Sequence, residues 1–146
     1  MRFEISIAIT VAFVVTVVNL GIQAYRDYTV RSRVTELVNA ASHCKSRVGQ
    51  FYMTRGRLPS SAQEAGCPES VTPSANPLAV FRGEVIVQAV GGLAAQLGRN
   101  NQFAFRAICA DGACEGAPME GWSCSPSGKA ASSTTILPKY LPTSCL

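Results

Sequence analysis

A single histidine, His43, is all the imidazole in this chain of 146 residues. No serine–histidine–acid set can be built beyond that residue, which sits inside a long helical pattern. Neither a G-x-x-x-x-G-K-S/T loop nor a G-x-G-x-x-G fingerprint occurs, so the glycine-rich phosphate cradles are missing. No strand interleaves basic and aromatic residues as RNA-binding sheets do. The six cysteines contain no C-x-x-C pair, whereas structural zinc sites usually show close ligand pairs. A zinc reading would have to join Cys109, Cys114 and Cys124 or Cys145, or use His43. Glu84, Asp111, Glu115 and Glu120 could pair as carboxylates, but turn and edge positions suit them better. A formal net charge of +4 is too mild to define a partner. No catalytic residue, no metal and no cofactor are expected; the chain does not read as an enzyme.

Charge is also lacking from Ile5 to Ala24, ISIAITVAFVVTVVNLGIQA. As a helix those residues reach about 30 Å, the thickness of a bilayer core. A cleaved secretory signal would have a shorter apolar run, no acid beside its basic start and a small-x-small site. Here Glu4 stands in the leader, and the segment runs straight into charged helix. A plain membrane anchor is a second reading. The third is a segment that sits first in lipid and later in a protein bundle. Thr10, Thr16, Asn19 and Gln23 fit a helix that packs on other helices, although an isolated span tolerates them too. Arg2 precedes the segment and Arg26, Arg31 and Arg33 follow it. By the positive-inside rule the remainder would be cytoplasmic. Six cysteines argue for an oxidising compartment instead. The two agree if a short basic leader has been removed, so the chain is read as a processed form; Met1 could equally be an initiator.

No proline interrupts Tyr25 to Met53, and Gly49 is the only glycine there. Val34, Leu37, Val38, Ala41, Cys44, Val48, Phe51 and Tyr52 recur at steps of three or four, one face of a helix. Arg33, Glu36, Asn39, His43, Arg47 and Gln50 lie mostly elsewhere, and His43 reads as a solvated helix residue. The Arg26–Arg33 stretch could touch lipid head groups or DNA, but reads more simply as a solvated face. Gly56 and Pro59 form the stop. The spacing therefore predicts one helix from about Phe3 to Arg55, about 80 Å long. Its first half (1–24) is apolar all round, and its second half (25–55) is amphipathic.

Beyond it, 56–82 reads as an irregular loop. A sheet is expected over 83–124. Glu84–Val90 alternates as a strand, and Gly91-Gly92 breaks it. Gln102–Cys109 is a better strand, with Phe103, Phe105, Ala107 and Cys109 on one face. Asp111-Gly112 reads as a two-residue hairpin turn, and a further strand ends around Trp122-Ser123-Cys124. The tail 125–146 is loop-like. The fold class is α+β: a long N-terminal helix packed on a small antiparallel sheet.

Ala24-Tyr-Arg-Asp-Tyr-Thr-Val-Arg-Ser-Arg-Val34 resembles the segment after the apolar helix start of type IVa major pilins. Gly121-Trp-Ser-Cys124 with Lys139-Tyr-Leu-Pro-Thr-Ser-Cys145 resembles their C-terminal disulfide-bounded region. The order of elements is also similar over nearly the whole chain. Two departures stand out. Phe3-Glu4 follows Met1-Arg2 where the family begins with phenylalanine and has glutamate fifth, and with Tyr25 matched without gaps Ser6 stands at the place of that glutamate. Ile22 or Gln23 stands where a proline is common. The resemblance implies a homo-oligomeric helical filament, with apolar helices inside, sheet domains outside and no cofactor.

Several expectations follow from it. The chain would be a subunit of an extracellular type IV pilus, held in the inner membrane before assembly. It would serve adhesion, motility or DNA uptake, with possible host-surface or DNA contact. A minor pilin, a type II secretion pseudopilin and a monomeric membrane-anchored periplasmic binding domain are the competing readings. Assembly is expected to use Met1, Arg2, Phe3, Glu4, Val14 and Val17. Glu4 either pairs with the Met1 amine or Arg2, on its own chain or a neighbour, or caps the helix N-terminus. Six cysteines allow fifteen connectivities. Cys44 on the helix stripe suits Cys67 at the end of the first loop, and Cys109 suits Cys114 across the expected turn. Cys124 and Cys145 remain, and they match the closing disulfide of the resembled family.

Overall fold

A computed structural model describes residues 2–68, 72–128 and 130–146, with side chains from Ser6 onward among the first residues. Helix α1 spans Arg2–Arg55 without a break. Its buried positions, Val30, Val34, Leu37, Ala41, Cys44, Val48 and Tyr52, keep the helical period and form the face turned to the domain. The stop has a local cause. Gly56 adopts φ +67, a conformation that costs glycine little, and its N–H returns to the Tyr52 carbonyl at 2.8 Å, closing the last turn. Just beyond, Glu64 holds the next turn. Its carboxylate accepts from Arg57, 2.5 Å away, and from the Ser60 N–H and hydroxyl. Those bonds, Arg57's first, pull its pKa down to about 2.

Strands β1 (Ala79–Phe81), β2 (Glu84–Gln88), β3 (Gln102–Cys109) and β4 (Met119–Ser123) form one antiparallel sheet in chain order. One face packs on α1. Val85, Val87, Phe103 and Phe105 join Val34, Leu37, Cys44 and Val48 in a single buried cluster, and the two phenylalanine rings meet edge to face at 5.0 Å. A short helix, α2 (Gly91–Leu97), lies between β2 and β3 and buries Leu93 and Leu97.

The sheet departs from the sequence expectation in three places. It begins at Ala79, inside the segment expected to be loop. The strand expected over Glu84–Val90 ends at Gln88, and Gly91-Gly92, expected only to break it, opens a helix. The two-residue hairpin turn is at Arg82-Gly83, not at Asp111-Gly112. Phe81 pairs with Glu84, and the two residues between them have φ +50 and +77, the paired positive values of a type I′ turn. Glycine suits the positive φ at position 83, and a Cβ there would also stand 2.8 Å from Leu58 Cδ1, so the leucine tip would have to shift. Asp111-Gly112 instead lies in a wide connection from Cys109 to Met119, the residues that pair across it. The Asp111 carboxylate accepts from the N–H groups of Ala113, Cys114 and Glu115. Those donors, Cys114's first, hold its pKa below the ordinary value. An acid that gathers three backbone donors makes a broad loop, not a two-residue turn. Tyr52 at the helix end donates its hydroxyl to the Ala117 carbonyl and anchors that loop.

Strand β4 pairs with β3 only from Arg106 onward, which leaves the first half of β3 with a bare edge. The tail fills it. Thr135 N–H donates to the Gln102 carbonyl. The buried Thr134 hydroxyl accepts from Ala104 N–H and donates to the Ala104 carbonyl, both at 3.0 Å. One hydroxyl thus serves both backbone groups of a buried residue. Thr134→Val keeps the shape and removes both bonds. Stranding a buried peptide group costs about 1–3 kcal/mol, so the denaturation midpoint of the detergent-solubilised, oxidised chain should fall accordingly. Thr134→Ser should restore it; an unchanged midpoint in the valine variant would contradict this account.

Candidate assembly interface

From Ser6 to Ala24 every side chain of α1 is exposed. Phe13 is 69% exposed, Leu20 63%, and Val14 and Val17 53% and 51%. The segment is long and apolar enough to cross a membrane, and the domain covers none of it. A soluble monomer would leave that surface in water at about 25 cal/mol per Å². The segment therefore has to be placed in lipid or against protein.

Its polar residues are arranged to suit either. Thr10 donates to the Ser6 carbonyl at 2.9 Å, Thr16 to Ala12 at 2.8 Å, and Asn19 Nδ2 to Val15 at 2.7 Å. Each turns a donor back onto its own helix, so those donors stay bonded when water leaves. Met1 and the side chains of Arg2, Phe3 and Glu4 lie outside the described residues, and with them the pairing expected of Glu4. Arg26, Arg31, Arg33 and His43 are exposed on the helix. Among the described residues no group of three or more His, Cys, Asp or Glu stands together as a metal site, and no cysteine is free.

Disulfides join Cys44 to Cys67, Cys109 to Cys114 and Cys124 to Cys145, with Cα separations of 4.9, 5.2 and 4.9 Å. The first fastens the loop after the helix to the buried face of α1. The second closes the wide β3–β4 connection; its 5.2 Å differs from the roughly 4.5 Å of a non-hydrogen-bonded strand pair because Cys114 lies in the loop, at φ +58. The third ties the tail beside the sheet, where Ile136, Leu141 and Cys145 are buried.

The tail reaches the helix at one further point. Asp27 Oδ1 accepts from Tyr140 Oη at 2.9 Å and from Lys139 Nζ at 3.4 Å. This clasp lies three residues before Val30, the first buried residue of the helix, so it grips α1 where the free rod meets the domain. The Tyr140 hydrogen bond, then that of Lys139, holds the Asp27 carboxyl below its ordinary range. The ion pair is exposed on both sides, so it fixes position more than it adds stability. No local pattern pointed to it, because the partners stand more than a hundred residues apart in the chain.

Residues 30–146 match the family model described as pilin, a bacterial filament protein. The match begins where the domain first covers the helix. A fimbrial protein of Neisseria meningitidis serogroup A is 35% identical over 66 residues, 45% of this chain and 39% of that protein. The type IV major pilin protein PilE1 of Neisseria gonorrhoeae is 34% identical over 62 residues, 42% of this chain and 38% of its own. The fimbrial protein EcpC of Eikenella corrodens is 27% identical across 97% of this chain and 86% of its own. In the first two matches the chain spans about two-fifths of its relative.

The clasp has a definite pH sense. Because the folded Asp27 pKa is depressed, the bonded form is complete above the ordinary value of 3.8 and is lost only as pH falls through the lower folded value. Tyr140→Phe removes the largest cause, so the carboxyl should titrate closer to 3.8. Carboxyl-carbon NMR titration of both forms measures this; identical Asp27 titrations would show that Tyr140 does not hold it.

Proposed function

The chain belongs to the pilin family, and from that membership we propose that it polymerises through α1 into a helical surface filament. The observation that carries the proposal is the exposed apolar half of α1, continuous with a half packed on the domain. One rigid element joins a surface that cannot remain in water to a domain that can. In the bacterial inner membrane the apolar half is solvated by lipid. In the filament the same residues pack against the helices of other copies, and the sheet domains face outward. Lipid is as apolar as the bundle, so dense packing, not escape from water, favours the assembled state. The function served by the filament is adhesion, motility or DNA uptake.

Long filaments made mainly of this chain, seen by electron microscopy of sheared cell-surface material, separate a principal subunit from a minor pilin or a pseudopilin. A chain that stays monomeric after detergent extraction would be an anchored binding domain instead. Val14 and Val17 test the helix directly. An arginine there places a charge in an apolar bundle, at a cost of about 3 kcal/mol per residue on the membrane-insertion scale. Val14→Arg or Val17→Arg should abolish filaments while the three disulfides still form, as judged by non-reducing peptide mapping. Normal filaments from either variant would refute assembly through this segment.

A further inference from the structure

The uncharged run of α1 ends at Ala24, and the domain first buries the helix at Val30. Six steps of helix separate the two points, about 9 Å at 1.5 Å each. The polar layer on each side of a bilayer's hydrocarbon core is about 5–7 Å thick. With the apolar run in that core, the near end of the domain stands at the head groups, and the residues just after Ala24 lie among them.

Those residues are sorted by side. At about 100° per residue, Tyr25 and Tyr28 stand away from the buried face of α1, and they are 72% and 74% exposed. There the helix meets the head groups alone, a depth that amphipathic rings suit. Arg26 lies on the domain's side instead, about one turn before Val30. It borders a cleft of about 460 Å³ with Asp27, Val30, Ala95 and Gln96 of α2, and Tyr140. The acid in this cleft is already engaged, because Tyr140 and Lys139 donate to the Asp27 carboxylate. Between residues 25 and 35 three arginines, Arg26, Arg31 and Arg33, stand against that one acid. The tail adds Lys139, whose side chain is 55% exposed. A merely solvated face explains the arginines, but not two bare tyrosines beside them at the end of an apolar run.

We propose that this cleft, with Arg26 and Lys139 at it, is a binding site for the phosphate head group of an anionic phospholipid. The site rests on the membrane stage of the function proposed above. Arg26, the Gln96 amide and Lys139 supply the donors, and a guanidinium fork matches phosphate oxygens. The lipid's acyl chains then lie along the apolar half of α1. A zwitterionic head group brings its own ammonium toward Arg26 and Lys139, whereas an anionic one brings no cation, so the site selects lipids of net negative charge. The Asp27 clasp serves the same site, because it holds Lys139 and Tyr140 at the level where the head groups begin.

The test uses the full oxidised chain reconstituted in vesicles of phosphatidylcholine and phosphatidylglycerol, about two to one. A photo-crosslinking benzoylphenylalanine at Ala95 should capture phosphatidylglycerol at least fivefold more often than phosphatidylcholine, per mole of each, as read by mass spectrometry. Arg26→Gln combined with Lys139→Gln should bring that ratio to within twofold of unity, with the three disulfides still formed by non-reducing peptide mapping. Arg47→Gln removes the same kind of charge about 30 Å further along the helix and should leave the ratio unchanged. Equal capture of the two lipids, no capture of either, or a preference that survives the double substitution overturns the proposal. So does loss of the preference in Arg47→Gln, which would make it an effect of overall charge. A chain that fails to float with the vesicles refutes the membrane stage itself, whereas one that floats without preference refutes this site alone.

Discussion

Val34, Leu37, Cys44 and Val48 on one face of α1 meet Val85, Val87, Phe103 and Phe105 on one face of the sheet, all of them buried. The sheet gives the helix stripe its main apolar partner, and the loop at Cys67, α2 and the tail pack around the same cluster. Each element is marginal alone, since an open sheet face and an isolated amphipathic helix both leave apolar surface in water. Their union makes the domain, and the position of every other part follows from it. Because the buried stripe ends at Val30, the same contact also decides how much of the helix remains free.

The remainder of the domain has little regular structure, and covalent links hold it to this two-layer core. Cys44–Cys67 fastens a loop directly to the buried stripe. Cys109–Cys114 closes the connection that packs under Tyr52. Cys124–Cys145 bounds a tail whose described residues form two short 3₁₀ turns, at Pro138–Tyr140 and Thr143–Cys145. In the chain-entropy picture a loop of this last length is restrained by about 3 kcal/mol. Hydrogen bonding then makes the restraint specific: Thr134 and Thr135 complete the bare edge of β3, and Tyr140 reaches the helix. The irregular half of the domain is thus ordered by satisfying polar groups, and the regular half by burying apolar ones.

A single helix serving two surroundings imposes its own rule. The packed half needs one apolar face and the free half needs apolar residues all round, yet one continuous helix passes between them. The change is made by side chains alone, at Tyr25–Val30, where charges return after the uncharged run and the Asp27 clasp sits. In the apolar half, the donors of Thr10, Thr16 and Asn19 are turned onto the helix's own carbonyls. That makes the segment compatible with lipid and with a protein bundle. Membership of the pilin family makes this rod part of a bacterial filament protein.

The extent of α1, its division into two halves, the stop at Gly56, the strand Gln102–Cys109 and most of the strand expected over Glu84–Val90, which ends at Gln88, were legible in the sequence. Helical and strand periodicities are local, so a window of residues carries its own signal. Cys44 could be placed on the domain-facing side for the same reason. The failures share a cause too. Asp111-Gly112 looks like a tight turn, but the next few backbone donors gather on Asp111, while the true type I′ turn at Arg82-Gly83 carries a weaker pair of residues. Strand β1 and helix α2 are too short for periodicity to register. Ala104 is buried between Phe103 and Phe105, which breaks the alternation of β3, and the tail bonds to its backbone along the strand's edge. Thr134 bonded to Ala104, and Asp27 bonded to Tyr140, join residues about 30 and 113 apart. Such pairings leave no local trace, since they depend on where the helix–sheet contact carries the chain; only the tertiary structure could decide them.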